Sequence, residues 1–472
     1  MAGFLARIGA AVLAVFAALA AIGQEQRSVV VKEYDAGGVY EGEFRDGTQH
    51  GIGTYRLPGG YEYTGEWVEG RIEGRGVARY PNGAVYEGQF LAGAPHGRGR
   101  IVYADGGLYE GDWVGGNMEG EGRLELADGM IYEGGFRASQ FEGFGVMTRP
   151  NGYRYAGAWR NNLPHGEGEV TYPDGAVYVG GFEDGVRSGK GRVTLADGVA
   201  YEGDWRDGEM SGVGRTTFAN GDVYEGEVVA GALTGQGVMR HADGAIYEGA
   251  FVAGRRQGQG RLTSPDGSVY EGPFVDGAPS GEGRVATPGV GVYAGGFLAG
   301  KPHGSGAIEY EDGSRYEGAW VGGAIEGRGV FTTPAGLRYE GGFRDGARDG
   351  EGVLTTADGA EYRGQWRAGK LHGQAVVRYP DGATYEGAFV AGLREGEGRL
   401  TLPEGFVYVG QWKGGEIEGE GEARYANGDV YRGAFRAGVR HGYGVMTYAA
   451  GGEYAGYWVN GQRGAGPVSA TE

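Results

Sequence analysis

The sequence contains no cysteine, so neither a disulfide nor a thiolate-held metal contributes to its fold. Only 15 of its 472 residues are proline, and glycine does not recur at every third position, which excludes a collagen-type triple helix. Cations are in deficit, with a formal net charge of −19. A chain this acidic lacks the clustered Lys and Arg on which sequence-independent nucleic-acid binding depends. The same balance disfavours electrostatic attachment to anionic lipid. No GxxxxGK[ST], HExxH or GxSxG motif occurs, so the familiar phosphate, zinc-protease and serine-hydrolase signatures are missing. Long apolar runs are missing too, apart from residues 8–22.

That run defines the first segment. Arg7 precedes it, no acid appears before Glu25, and small residues stand at Ala21 and Gly23. Residues 1–23 therefore read as a secretory signal cut before Gln24. The alternative is an uncleaved anchor through residues 4–23 in an inner membrane, although a spanning helix needs about 20 apolar residues. Arginine outnumbers lysine 38 to 5, which points to a GC-rich bacterial coding sequence. The expected location is the periplasm or cell envelope.

What the chain has in excess is glycine, 107 residues, together with 12% aromatics. That aromatic content is too high for a disordered glycine linker, so the glycines punctuate a structural repeat. Tyrosines recur every 23 residues from Tyr40 to Tyr454, nineteen in all. Numbering each unit from its tyrosine, glycine stands at +2, and Phe or Trp at +4 except for Val228. Glycines follow at +11 and +13, and all eight tryptophans of the protein stand at +4.

Each unit reads as a β-hairpin. Val85 to Phe90 alternate with period two, which puts Tyr86, Gly88 and Phe90 on one face. Leu91 to His96 reads as the hairpin loop and about Gly97 to Tyr103 as the returning strand. Asp or Asn precedes the glycine of the following link in thirteen units, a turn signature. Links this short forbid parallel crossovers. The predicted fold is therefore all-β: an elongated, single-layer antiparallel meander, a twisted rod or trough. At a strand spacing of roughly 4.8 Å it would span about 180 Å. The glycines beside the rings let aromatic side chains cover bare backbone.

The pattern Tyr86, Gly88, Phe90, Gly93, Gly97, Gly99 resembles the MORN repeat (membrane occupation and recognition nexus), and the resemblance runs from about residue 37 to 466. It implies single-layer hairpin arrays that serve as scaffolds, some joining membranes or forming elongated dimers. Junctophilins and certain lipid kinases and lysine methyltransferases attach such repeats to another domain, and no second domain is recognisable here. The expected organisation is a signal over 1–23, a capping half-repeat over 24–39, the array over 40–466 and a tail over 467–472. Val29 to Tyr34 is expected to be a lone capping strand, and Tyr454 to Trp458 a first strand whose partner is lost. Those edges are complementary, which allows head-to-tail self-association.

Within the array, Trp113, Trp159 and Trp205 recur 207 residues later as Trp320, Trp366 and Trp412, the mark of a nine-repeat block duplication. Thr287 to Gly291 breaks the turn-glycine register, so a kink or weak point is expected near 228–292. Gly289 to Ala294 matches GxGxxA but opens no helix, so it does not predict a nucleotide site.

Chemistry is sparse. Six histidines (His50, His96, His165, His303, His372, His441) share one position, two repeats or more apart. At about 20 Å or more they cannot share a metal held at about 2 Å. Eleven repeats carry Glu directly after the tyrosine, forming a solvated face with neighbours about 10 Å apart. Catalysis needs unlike groups converging on one point, whereas a repeat supplies like groups in a row. We expect no enzyme, cofactor or metal, and no nucleic-acid partner. The expected role is an envelope scaffold for an unknown protein partner. The alternative is a glycan- or lipid-headgroup-binding module that uses the aromatic face: Tyr86, Phe90, Tyr109, Trp113, Tyr155, Trp159, Tyr201, Trp205, Tyr316, Trp320, Tyr362, Trp366, Tyr408 and Trp412.

Overall fold

The structure, a computed structural model, describes residues 29–464; the expected signal segment and C-terminal tail lie outside the described residues. The described residues divide into two compact units, 29–219 with 229–231, and 220–228 with 232–464. The division falls around Val228, where the aromatic at +4 is missing. In each unit the strands follow one another in chain order as an antiparallel meander, and no helix occurs among the described residues.

One repeat shows how the sequence dictates this. Val85–Leu91 forms a seven-residue strand and Ala94–Val102 a nine-residue strand. Leu91 pairs with Ala94, so the hairpin loop is only Ala92 and Gly93, with φ of 48° and 82°. Two successive positive φ values define the tight turn whose twist matches the flanking strands. The loop is thus shorter than expected from the sequence and the second strand longer. Pro95 looks like a loop residue, yet it pairs with Phe90, and Gly97, expected to begin the strand, lies inside it. Between the pairs Gly88–Gly99 and Phe90–Pro95 the register shifts, so Gln89 alone faces His96, Gly97 and Arg98. Gly97 takes φ 64° at this bulge, which accounts for glycine at +11.

Successive hairpins are joined by five-residue links. In the link after Val102, the Gly106 amide donates to the Tyr103 carbonyl at 3.0 Å, and the Tyr103 amide to Gly107 at 2.8 Å. Asp105 Oδ1 accepts from the Gly107 amide at 2.9 Å. All thirteen Asp and Asn residues at this position accept the same bond.

The broken turn-glycine register at Thr287–Gly291 does not shift the strands. Gly281–Thr287 pairs with Gly291–Leu298 in the usual register, and the link keeps its length. The bond that closes the turn is kept, Val290 to Thr287 at 3.1 Å; one further pair forms, Thr287 with Gly291, and the positive φ moves one residue earlier, to Gly289 at 75°. Proline followed by such a glycine suits a type II turn. At the first edge, Val30–Glu33 pairs with Val39–Arg45 as a cap. At the last, the partner of Glu453–Val459 is shortened rather than lost, because Gln462 and Arg463 still pair with it.

Candidate functional site: the aromatic ladder

The tyrosine ring lies flat over the glycines at +2 and +13. In the seventeen described repeats with glycine at +13, a Cβ there would come within 3.0 Å of ring atoms. The phenol at the ring's far end donates to the carbonyl at +3, the residue facing the bulge, as in Tyr86 to Gln89 at 2.9 Å and Tyr155 to Ala158 at 2.7 Å. Burial pushes the tyrosine hydroxyls up, those of Tyr40, Tyr224 and Tyr270 to about 12, because the charged form loses its hydration.

Most of these rings are then met edge-on from both sides. Tyr86 has Phe90 of its own repeat at 5.0 Å and Trp113 of the next at 5.2 Å. The same alternation continues along the array. Perpendicular contacts at this distance are the favoured geometry of aromatic pairs, worth about 0.5–1.5 kcal/mol each beyond burial. All eight tryptophans donate Nε1–H to a glycine carbonyl of the preceding hairpin, at 3.1–3.3 Å. The indole polar group is therefore satisfied when buried, which is why Trp and Phe exchange freely at +4.

Two positions that sequence reasoning passed over complete the cover. Opposite each tyrosine stands +15, as in Tyr86–Ile101 and Tyr155–Val170, apolar in nearly every repeat; that recurrence was a readable signal. At +9, Arg187, Arg348, Arg394 and Arg440 lie 4.2–4.4 Å over the next tryptophan ring. Arg187, Arg348 and Arg440 also donate to a turn-glycine carbonyl at 2.7–2.8 Å. Burial lowers the Arg348 pKa, as expected of a desolvated cation on an aromatic face.

Of the fourteen ring residues named from the sequence, thirteen are buried and none of these is more than 6% exposed. Tyr362 is different. Its repeat carries Ala375 at +13, and the added Cβ takes the ring's place. Tyr362 lacks the bond to the +3 carbonyl and the edge contacts with Trp366 and Phe389 that its position makes elsewhere. Its ring instead stands 6.4 Å from Tyr379. A cavity of about 510 Å³ opens beside it, lined by Leu354, Trp366, Leu371, Phe389 and Arg394 among others.

The opposite face carries the glutamates at +1, but not as a bare acidic ladder. Arg123 stands between Glu110 and Glu133 in register and pairs with Glu133 at 3.0 Å. Glu422 pairs with Arg424 and Arg432, both at 2.6 Å. Exposed pairs of this kind add little stability, though they even out the charge. The histidines at +10 sit one per bulge, and no group of three or more His, Asp or Glu is placed to hold a metal among the described residues.

The sequence profile of the MORN repeat matches this chain in seventeen stretches, the first over 40–60 and the others without a break over 63–152, 155–199, 201–269 and 293–453. No curated protein matches it. Among solved structures, the TCP domain of Drosophila melanogaster SAS-4, in complex with a proline-rich motif of Ana2, is 16% identical, with a TM-score of 0.22 over 33% of this chain and 85% of its own. The TCP10 domain of Danio rerio CPAP with a STIL peptide is 15% identical, with a TM-score of 0.22 over 53% and 98%. A streptogramin B lyase is 12% identical, with a TM-score of 0.11 over 62% and 90%. Scores this low do not bear on what the chain does. The repeat matches cover most of the sequence, and the tyrosine–glycine slots, bulges and turns described above lie within them: the chain belongs to the MORN repeat family.

Proposed function

We propose that this protein is a non-enzymatic scaffold, exported to the envelope of a bacterium, that holds a protein partner through its repeated surface. The observation that carries the reading is a row of aliphatic side chains just before the hairpin turns. Val252, Val275, Leu298 and Val321 occupy +5 in four consecutive repeats of the second unit and are 49–58% exposed. Regularly spaced apolar groups on an otherwise charged face suit contact with another polypeptide. Export rests on the signal-like residues 1–23. The glycan or headgroup reading ranks second, because its stacking platform would be rings that are buried in the core. Head-to-tail pairing of edge strands is a further means of assembly for such a scaffold.

Photo-crosslinking side chains placed at 252, 275, 298 and 321 in cells test the proposal, with exposed positions on the charged strands as controls. One discrete crosslinked protein from the +5 row, in the fraction released by osmotic shock, is the expected result. Absence of crosslinks from that row, or a cytoplasmic protein, contradicts it.

A further inference from the structure

The Tyr362 repeat departs from its neighbours in one respect that changes the available chemistry. Elsewhere in the second unit, a ring at +4 receives two edge-on tyrosines: Phe343 meets Tyr316 and Tyr339, both at 5.1 Å, and Trp412 meets Tyr385 at 5.1 Å and Tyr408 at 5.6 Å. With Tyr362 displaced by the Ala375 methyl, Trp366 keeps only Tyr339 at 5.4 Å, and Phe389 keeps only Tyr385 at 5.2 Å. Leu371, Ala375 and Val377 fill the layer next to the sheet and are themselves buried. Above them the cavity of about 510 Å³ is open, a size in the range of small-molecule sites. Its floor includes Trp366, Phe389 and Leu371, and Lys370, Arg394 and Glu416 are its charged lining. Arg394 is fixed by the rings of Trp412 at 4.4 Å and Tyr385 at 5.3 Å.

We propose that this cavity is a binding site for a small planar aromatic carboxylate. The arene lies over Leu371 and against the rings of Trp366 and Phe389, above the slot that the Ala375 methyl closes. The carboxylate faces Lys370 and Arg394, two cations against the one acid, Glu416. The site is independent of the scaffold reading, since the crosslinking row lies elsewhere.

The test is a titration of the folded chain, residues 24–472, with benzoate, followed by calorimetry and by saturation transfer to the ligand. Benzamidine and cyclohexanecarboxylate serve as comparison ligands. Saturable benzoate binding is expected, weaker by about tenfold for each comparison ligand, the scale of one lost charge or ring contact. Ala375→Gly restores the residue found at this position in every other described repeat and returns Tyr362 to its slot. It should abolish benzoate binding while the circular dichroism spectrum stays unchanged. Lys370→Gln should remove the preference for benzoate over benzamidine. No saturable binding, or equal binding by Ala375→Gly, overturns the proposal. Equal binding of cyclohexanecarboxylate overturns its aromatic part.

Discussion

Replacing Gly99 with alanine should evict Tyr86 as Ala375 evicts Tyr362. A Cβ at Gly99 would stand 2.6 Å from Cε2 of Tyr86 and closer still to Cζ and the hydroxyl, and the ladder leaves the strand no room to retreat. Tyr362 shows the cost: two edge contacts are lost, about 1–3 kcal/mol together, and one phenol hydrogen bond, about 1 kcal/mol. Partial exposure of a fully buried ring adds about 1 kcal/mol. The entropy that glycine loses on folding returns about 1 kcal/mol when alanine replaces it. The net destabilisation is about 2–4 kcal/mol. A repeat array opens locally and is poorly described by one unfolding midpoint. The assay is therefore native-state hydrogen exchange of the peptide spanning 85–103. Its slowest amides should exchange about 30- to 700-fold faster, at 1.4 kcal/mol per factor of ten. Gly93→Ala is the control, since its φ of 82° opposes a side chain but nothing lies within 4 Å, and it should cost about 1 kcal/mol. If Gly99→Ala exchanges no faster than Gly93→Ala, or leaves Tyr86 protected, the slot argument is wrong.

Two further outcomes follow from the same geometry. The tyrosines pushed up by burial, to about 12 for Tyr40, Tyr224, Tyr270, Tyr293 and Tyr339, contribute stability fully present below the ordinary phenol value near 10. That contribution is lost as pH rises from there through the folded values. Tyrosinate absorbance should therefore appear together with loss of circular dichroism between about pH 10 and 12, and free titration at 10 with the fold intact would contradict this. Trp159→Phe removes the bond from Nε1 to the Gly145 carbonyl but keeps a ring at a position where Phe is native elsewhere. It should cost about 1 kcal/mol, read by exchange of the 140–160 strands, and a cost near that of Gly99→Ala would mean the hydrogen bond, not ring packing, holds the ladder.

The positions at 0, +2, +4 and +13 were legible because every unit repeats the same steric demand, a flat ring over bare backbone. Position +11 was visible as glycine but its purpose was not. A bulge glycine and a glycine at a strand end look alike in sequence, so Gly97 read as the first residue of the returning strand rather than as a bulge within it. The Thr287–Gly291 link read as irregular because its glycine moved, yet a type II turn accommodates the moved glycine with Ala286 and Val292 still paired. Arginine at +14 was present in the sequence, but its place between glutamates depends on strand register. The same holds for Ala375. A single methyl at +13 is an unremarked substitution until the ring above it is located, and only then does the displaced Tyr362 become intelligible.

The aromatic ladder is the core of each unit rather than an exposed platform. Every tryptophan occupies +4, and all eight are 3–6% exposed, so acrylamide quenching of tryptophan emission reads the ladder directly. Blue-shifted emission, with quenching far below that of the denatured chain, is the expected result. Emission at the position of free indole, quenched as readily in the folded protein as in denaturant, would contradict it.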